Sequence, residues 1–531
     1  MGHFGFAVAI RQERPGAQRT FPQFSQSRAS ADGILPRLAP RGVNIVELKV
    51  GRGLRYAAGT LQEALRRPTV TSIVLAPGVH RAETVRLTRS VVMRGEPGAV
   101  LAANIHVVSG HATFVDLRWT GRLVLGPGTA AALRRTTLTA ASGAGLWLEP
   151  DARAELEEVE VVGASGAPSA IWVGHGAHLA ARRCLLSAPH GPVLQLTDQA
   201  HADVSESGFL VDAGSGPAVR AADEGAPALP TGHVAGSAPP PKDPPSSPLL
   251  STGGRARLTA RACTFAGARW GLSARGASQV TLVECSATAR ARVLPGDAWI
   301  DVGDHAVVAV AGGRFEVEAG AAAVQGAGRL TLQHVTVVGR GGVGLSTQDS
   351  AVLDASHLHM DGFDNPMVGR GGQLHVGDAH VTGGNPAVRL VGGSGTRALL
   401  ERCLIADSGG AGVQVEDTTA CTLADSTVRR SHGAGVAILA GAEAAVVACV
   451  LEDNVGPAVD AAPGSRGLVS RSVVRGAAAE RALAIHRGSW VLLQANRILG
   501  PTLPGTDASG AGAARDGRAA ATSPPGPHLR E

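Results

Sequence analysis

Between 403 and 498 the sequence repeats one short phrase. A small residue is followed two places later by an aliphatic one: Cys403 and Ile405, Ser426 and Val428, Cys449 and Leu451, Ser472 and Val474, Asn496 and Ile498. The steps between the small residues are 23, 23, 23 and 24, with glycine-rich stretches between them. A period in this range means stacked supersecondary units, each unable to bury an apolar face without a neighbour above and below. Upstream the same phrase passes through Ala379, Ser356, Val335, a weak position near Phe315, Cys285 and Cys263. Beyond a break it continues through Ser207, Cys184, Val159, Thr136 and Leu117. The runs within each unit are rich in Val, Leu and Ile, alternate at period two, and end at Gly, Asn or Asp. Those are strand and turn signals. Three short strands and three turns fit each unit. The pattern predicts an all-β chain, a right-handed parallel β-helix of about sixteen coils.

Composition agrees. Gly accounts for 71 of 531 residues, as expected where every coil needs tight turns. Lysine occurs only at Lys49 and Lys242, so arginine supplies nearly all the positive charge. That usage reads as a GC-rich coding bias rather than an arginine-based function. The net charge of +5 is small and scattered over the chain, which argues against a nucleic-acid partner. Tyr56 is the single tyrosine.

Six cysteines raise the question of disulfides. Cys184, Cys263, Cys285, Cys403 and Cys449 all fall on the repeated small position, and Cys421 has inward parity two residues before Leu423. A buried free cysteine behaves as a small hydrophobe, so the expectation is a reduced core ladder. No CxxC pair is present to suggest zinc. Reduced thiols fit a cytoplasmic protein.

Residues 1–40 lack a period and read as a disordered arm. Their apolar start has no basic region before it, and Arg11, Glu13 and Arg14 interrupt it early. It reads as neither a signal peptide nor a membrane span. A misassigned start would leave secretion open. The β-helix is expected over 41–501. It is interrupted at 222–252 by a Pro-, Ala- and Ser-rich insertion with no apolar period, read as a disordered loop, and less sharply at 288–304. Residues 502–531 read as a disordered tail.

Near the start, "GTLQEALRRP" reads as a short helix. Thr60 is the N-cap, Glu63 completes a capping box, and Pro68 ends the helix. Such a helix would cover the open end of the solenoid. The order T-L-Q-E-A-L followed by S-I-V-L-A-P-G-V-H resembles the N-terminal cap of the pectin-lyase-like superfamily, with His80 where that family usually has tyrosine. The resemblance covers roughly residues 43–500 through cap and coils together. It implies the fold, and it leaves the function among lyases, hydrolases, esterases, epimerases and binding proteins.

Chemistry must sit on outward positions. Trp147 and Trp172 each precede their repeat position by twelve residues and lie between aliphatic neighbours. They should point outward from adjacent coils, with Gln195 continuing the row. Such a row either stacks on itself or holds a sugar ring or a partner's apolar side chain. A second group is His357, His380, Asp361 and Asp364, with His359 and Asp378 nearby. His357 and His380 each follow their repeat position by one residue, which places them one coil apart. Facing imidazoles and carboxylates are what proton transfer from a sugar carbon needs. They could also hold a divalent ion such as calcium; otherwise the residues call for no cofactor. "GFDN" here resembles the G-F-D-P-H segment of mannuronan epimerases, with Met367 after Pro366 in place of the histidine. "WIDVGDH", from Trp299 to His305, resembles the W-I-D-H signature of pectate lyases, with three residues between the aspartate and the histidine.

Two functions follow. One is a non-catalytic β-helix that presents its side to a glycan or protein partner, or acts as a rigid scaffold. The other is a polysaccharide-active lyase, hydrolase or epimerase. Scarce tyrosine, sparse acid clusters and the lack of a leader favour the first.

Overall fold

A computed structural model describes residues 46–51, 58–189, 192–211, 248–267, 270–289, 298–318, 320–392, 395–476 and 482–499. The expected arm and tail, and most of the expected insertion, lie outside the described residues.

One turn shows how the chain is laid down. Arg397–Glu401 is a strand with Ala398 and Leu400 turned inward. Arg402 then takes a positive φ of 52° and bends the chain. Cys403 enters the core, and Leu404–Ala406 forms a second strand. A variable turn leads to a third, Val413–Val415. Asp417, at φ 54°, returns the chain to the next first strand, Ala420–Ala424. Each strand pairs in parallel with its counterparts one coil above and below, so Arg397–Glu401 lies between Asn365–Gly377 and Ala420–Ala424. The described strands join into one continuous sheet wound on itself. The result is a parallel β-solenoid of about 17 turns.

The core is a stack of apolar rows, one residue deep per coil. Phe209 and Phe265 stack at 5.0 Å, and Trp299 packs between Phe265 and Phe315 at 5.7 and 5.2 Å. Gly271 stands where Trp299 needs space, since a Cβ there would come within 2.0 Å of the indole. All six cysteines are buried and unpaired. The repeated small position has a polar logic of its own. The Ser207 hydroxyl accepts from Cys184 N–H, Ser426 from Cys403 N–H and Ser472 from Cys449 N–H, at 3.0 to 3.1 Å. The Ser207 and Ser426 hydroxyls donate to carbonyls two residues back, at 2.7 Å. The column therefore satisfies buried backbone groups at a corner where the strand ladder is interrupted.

Three expectations are corrected. The core position near 356 is Leu358, not Ser356, because the chain bends at His357 (φ 52°) and the residue after the bend turns inward. In the weak coil the position is Gly313, paired with Cys285 and Val335; Phe315 lies two places on. The insertion does not reach 252. Pro248–Thr252 is a strand of the third column, with Leu250 paired to Leu194.

The short helix spans Leu61–Arg66. Thr60 caps it by accepting from Glu63 N–H at 3.2 Å, and the Glu63 carboxylate accepts from Gly59 N–H at 2.9 Å. Leu61 and Ala64 bury against the same core as the first coils. Among the described residues no helix is long and apolar enough to cross a membrane.

Candidate functional site

Outward side chains of the third column form a continuous row. Trp147 pairs with Val124 and with Trp172, Trp172 with Gln195, Gln195 with Ser251, Ser251 with Ser273, and Ser273 with Asp301. Both tryptophans stand between buried aliphatic residues, as strand alternation requires. Their rings stack with centroids 4.1 Å apart and planes 24° from parallel. One face of each indole is thus taken by the other, both are half-buried, and Gln195 is the register partner of Trp172 on the next coil. At the far end, Asp301 is buried by a clasp. The Arg275 guanidinium donates to one carboxylate oxygen, and Gln325 Nε2 donates to the other at 3.0 Å. Asp301 belongs to the "WIDVGDH" segment, but His305 lies beyond the strand Ala298–Val302 that carries it. Arg275 and Gln325 have no sequence signature; only the coil register brings them to Asp301.

The histidine-acid group is divided. His357 does not face His380. It occupies the bend before the core position and stacks on His334 at 4.3 Å. His380 occupies the strand after that position and pairs with His359, their rings 5.0 Å apart and tilted by 65°. The offset follows from the displaced core position at Leu358. Two of the acids are engaged in holding the backbone and an arginine. Asp364 accepts from Gly342 N–H at 2.8 Å, a clasp between successive coils. Asp378 makes a bidentate pair with Arg402 at 2.7 and 2.8 Å, and that guanidinium holds its carboxyl below the usual range. His359, His380 and the exposed Asp361 remain as the open part of the group. Burial, then the neighbouring His359, pushes His380 below the ordinary imidazole value, and the Asp361 charge acts the other way. Thr382 Oγ1 lies 3.5 Å from His380 Nε2.

The family described as "Right handed beta helix region" matches residues 367–516. A comparison with curated proteins finds no match. Among solved structures, the chain is similar to the catalytic domain of a GH87 alpha-1,3-glucanase in complex with nigerose. The identity there is 9%, over 73% of this chain and 65% of that one, with a TM-score of 0.27. It is also similar to the A-module of the Azotobacter vinelandii mannuronan C-5 epimerase AlgE4, at 12% identity over 83% of this chain and 91% of that one, with a TM-score of 0.22. This chain thus spans slightly less than two thirds of the glucanase domain. The family match is to a right-handed β-helix, over 367–516.

Proposed function

We propose that this protein binds a glycan along its third face without turning it over, the sugar chain lying lengthwise over the row from Trp147 to Asp301. The observation that carries this reading is the row's continuity. Two indoles, an amide and two hydroxyls stand in register on consecutive coils, about 4.8 Å apart, and the row ends at the clasped Asp301. A polyhydroxylated ligand meets a hydrogen-bonding group at nearly every step, and the indole edges offer apolar contact for its C–H faces. A protein partner would call for an apolar interface centre. The large exposed apolar residues among those described, such as Leu185, Val307, Val455 and Trp490, lie off this row.

The test is migration of the full chain through gels containing neutral or anionic polysaccharides. At least one should retard the wild type. Trp147→Ala with Trp172→Ala should weaken retention about tenfold, within the range of about 1–3 kcal/mol for central anchors, and leave the far-ultraviolet spectrum unchanged. No retardation by any polysaccharide, or retardation indifferent to the tryptophans, refutes the reading.

One observation favours the enzyme alternative. The lowered proton affinity of His380 supplies a neutral imidazole near pH 7, beside His359 and Asp361, able to accept a proton. If the protein is a lyase, hydrolase or epimerase, His359→Ala with His380→Ala abolishes its turnover. A wild type that releases no unsaturated or reducing ends and leaves uronate stereochemistry unchanged retains only the binding reading.

A further inference from the structure

The first face of the solenoid carries a cluster that the proposed function does not use. His178 opens the strand His178–Arg182, and His201 opens the next one, His201–Ser205, directly opposite it. Asp203 is two residues on from His201 and so projects from the same face. Its partner on the preceding coil is Ala180. That short side chain leaves room for His178 to lean diagonally toward the carboxylate. Nε2 of each imidazole lies 3.5 Å from the same Asp203 oxygen, Oδ2. The two rings meet edge to face with centroids 4.8 Å apart. One donor atom from each residue falls within 4.8 Å of the other two.

We propose that His178, His201 and Asp203 bind a divalent transition-metal ion of the zinc class. The spacing is the first reason. Ligand bonds of about 2.0–2.1 Å in a tetrahedral site set neighbouring donors about 3.3–3.4 Å apart. Both nitrogen–oxygen separations here, 3.5 Å, are close to that edge length, and one donor atom from each residue lies within 4.8 Å of the others. Donor chemistry is the second reason. Two imidazoles with one carboxylate suit zinc, copper or nickel, whereas calcium and magnesium require mostly oxygen ligands. Three protein ligands leave a position for water or an external ligand, and the partial exposure of both histidines gives the ion a way in. Arg153 and Arg257 flank the histidines in the same row, while Glu155 and Thr259 flank Ala180 and Asp203. The two guanidiniums oppose a dication, and Glu155 offsets one of them.

The full chain, stripped with chelator and dialysed, is titrated with zinc by calorimetry at pH 7.5. Cobalt(II) then serves as a spectroscopic probe of coordination. One equivalent of zinc should bind, and cobalt should develop the intense visible bands of a four- or five-coordinate site. His178→Ala, His201→Ala and Asp203→Asn should each weaken binding at least tenfold. His334→Ala with His357→Ala should leave it unchanged. Calcium should not compete, and acidification should weaken binding, because protons compete with the metal for its ligands. A chain that binds no zinc, or whose binding survives all three substitutions, overturns the proposal and reduces the cluster to a surface ion pair. Loss of binding only in the His334 and His357 variant would also overturn it, by moving the site elsewhere. A variant that fails to fold is replaced by His178→Asn or His201→Asn, which keep polarity at the same outward position.

Discussion

Cys421 is wholly enclosed, and burial pushes its thiol up to about 12. Cys449 rises to about 11 for the same reason. The thiolate is the reactive species, so thiol reagent should label the native protein slowly and reach six equivalents only in denaturant. Fast labelling of several sites would contradict the core ladder. At His380 the prediction concerns pH. Its lowered value means that the folded chain binds this proton less readily than the unfolded one. Above about pH 6.5 neither state is protonated and the group has no effect. As pH falls through 6.5 the unfolded chain takes up its proton first and stability drops, until the lower folded value is passed. Denaturant midpoints between pH 7.5 and 5 should therefore slope less in His380→Asn. The tryptophan row was legible because strand parity places side chains without further information. The relation of His357 to His380 was not, because it depends on a bend at a non-glycine residue. Asp, Arg, Glu, His and Ala all occupy that bend in different coils, so nothing in the residue types marks it.

The strand-to-strand bend is the element on which the fold turns. It places ordinary side chains at positive φ in coil after coil, among them Asp116, Arg135, Glu158, Arg183, Asp378 and Arg402. Acids and arginines tend to alternate along this ridge. Asp116 pairs with Arg135, Glu158 with Arg183, and Asp378 with Arg402. The arginines of these pairs are exposed, so solvent and salt screen each pair and it adds little to stability. Alanine has no such compensation. Ala448 holds φ 54° with no side-chain partner able to offset the cost. Ala448→Gly relieves about 1–2 kcal/mol of left-handed backbone cost and gives back about 0.5–1 kcal/mol in chain entropy. A net gain of up to about 1.5 kcal/mol follows. Equilibrium unfolding measures it, and a loss of stability would show that the bend is set by packing rather than by backbone preference. The cluster of His178, His201 and Asp203 escaped notice at this level too. Its one signal is a histidine repeated after 23 residues, and outward positions of the first column carry few other regularities.

For the whole molecule, the 23-residue spacing makes coils interchangeable. Removal of 426–448 takes out one complete turn and leaves Cys403 followed by Cys449 at an unchanged distance. In a quasi-one-dimensional stack, stability is roughly a sum over repeats and their interfaces. The shortened chain should fold, and its denaturant m-value should fall by roughly one part in seventeen. Removal of eleven residues from the same region should instead put outward residues into the core and prevent folding. Circular dichroism separates the two outcomes. The direction of the hydrogen bonds has a mechanical consequence. Every ladder bond between coils points along the stack, so tension applied along that direction loads one rung at a time. Such a fibre peels at nearly the same low force however many turns it has, whereas a push from the side is shared among neighbouring rungs. This chain is therefore stiff against bending and bearing loads, and weak when drawn out from an end.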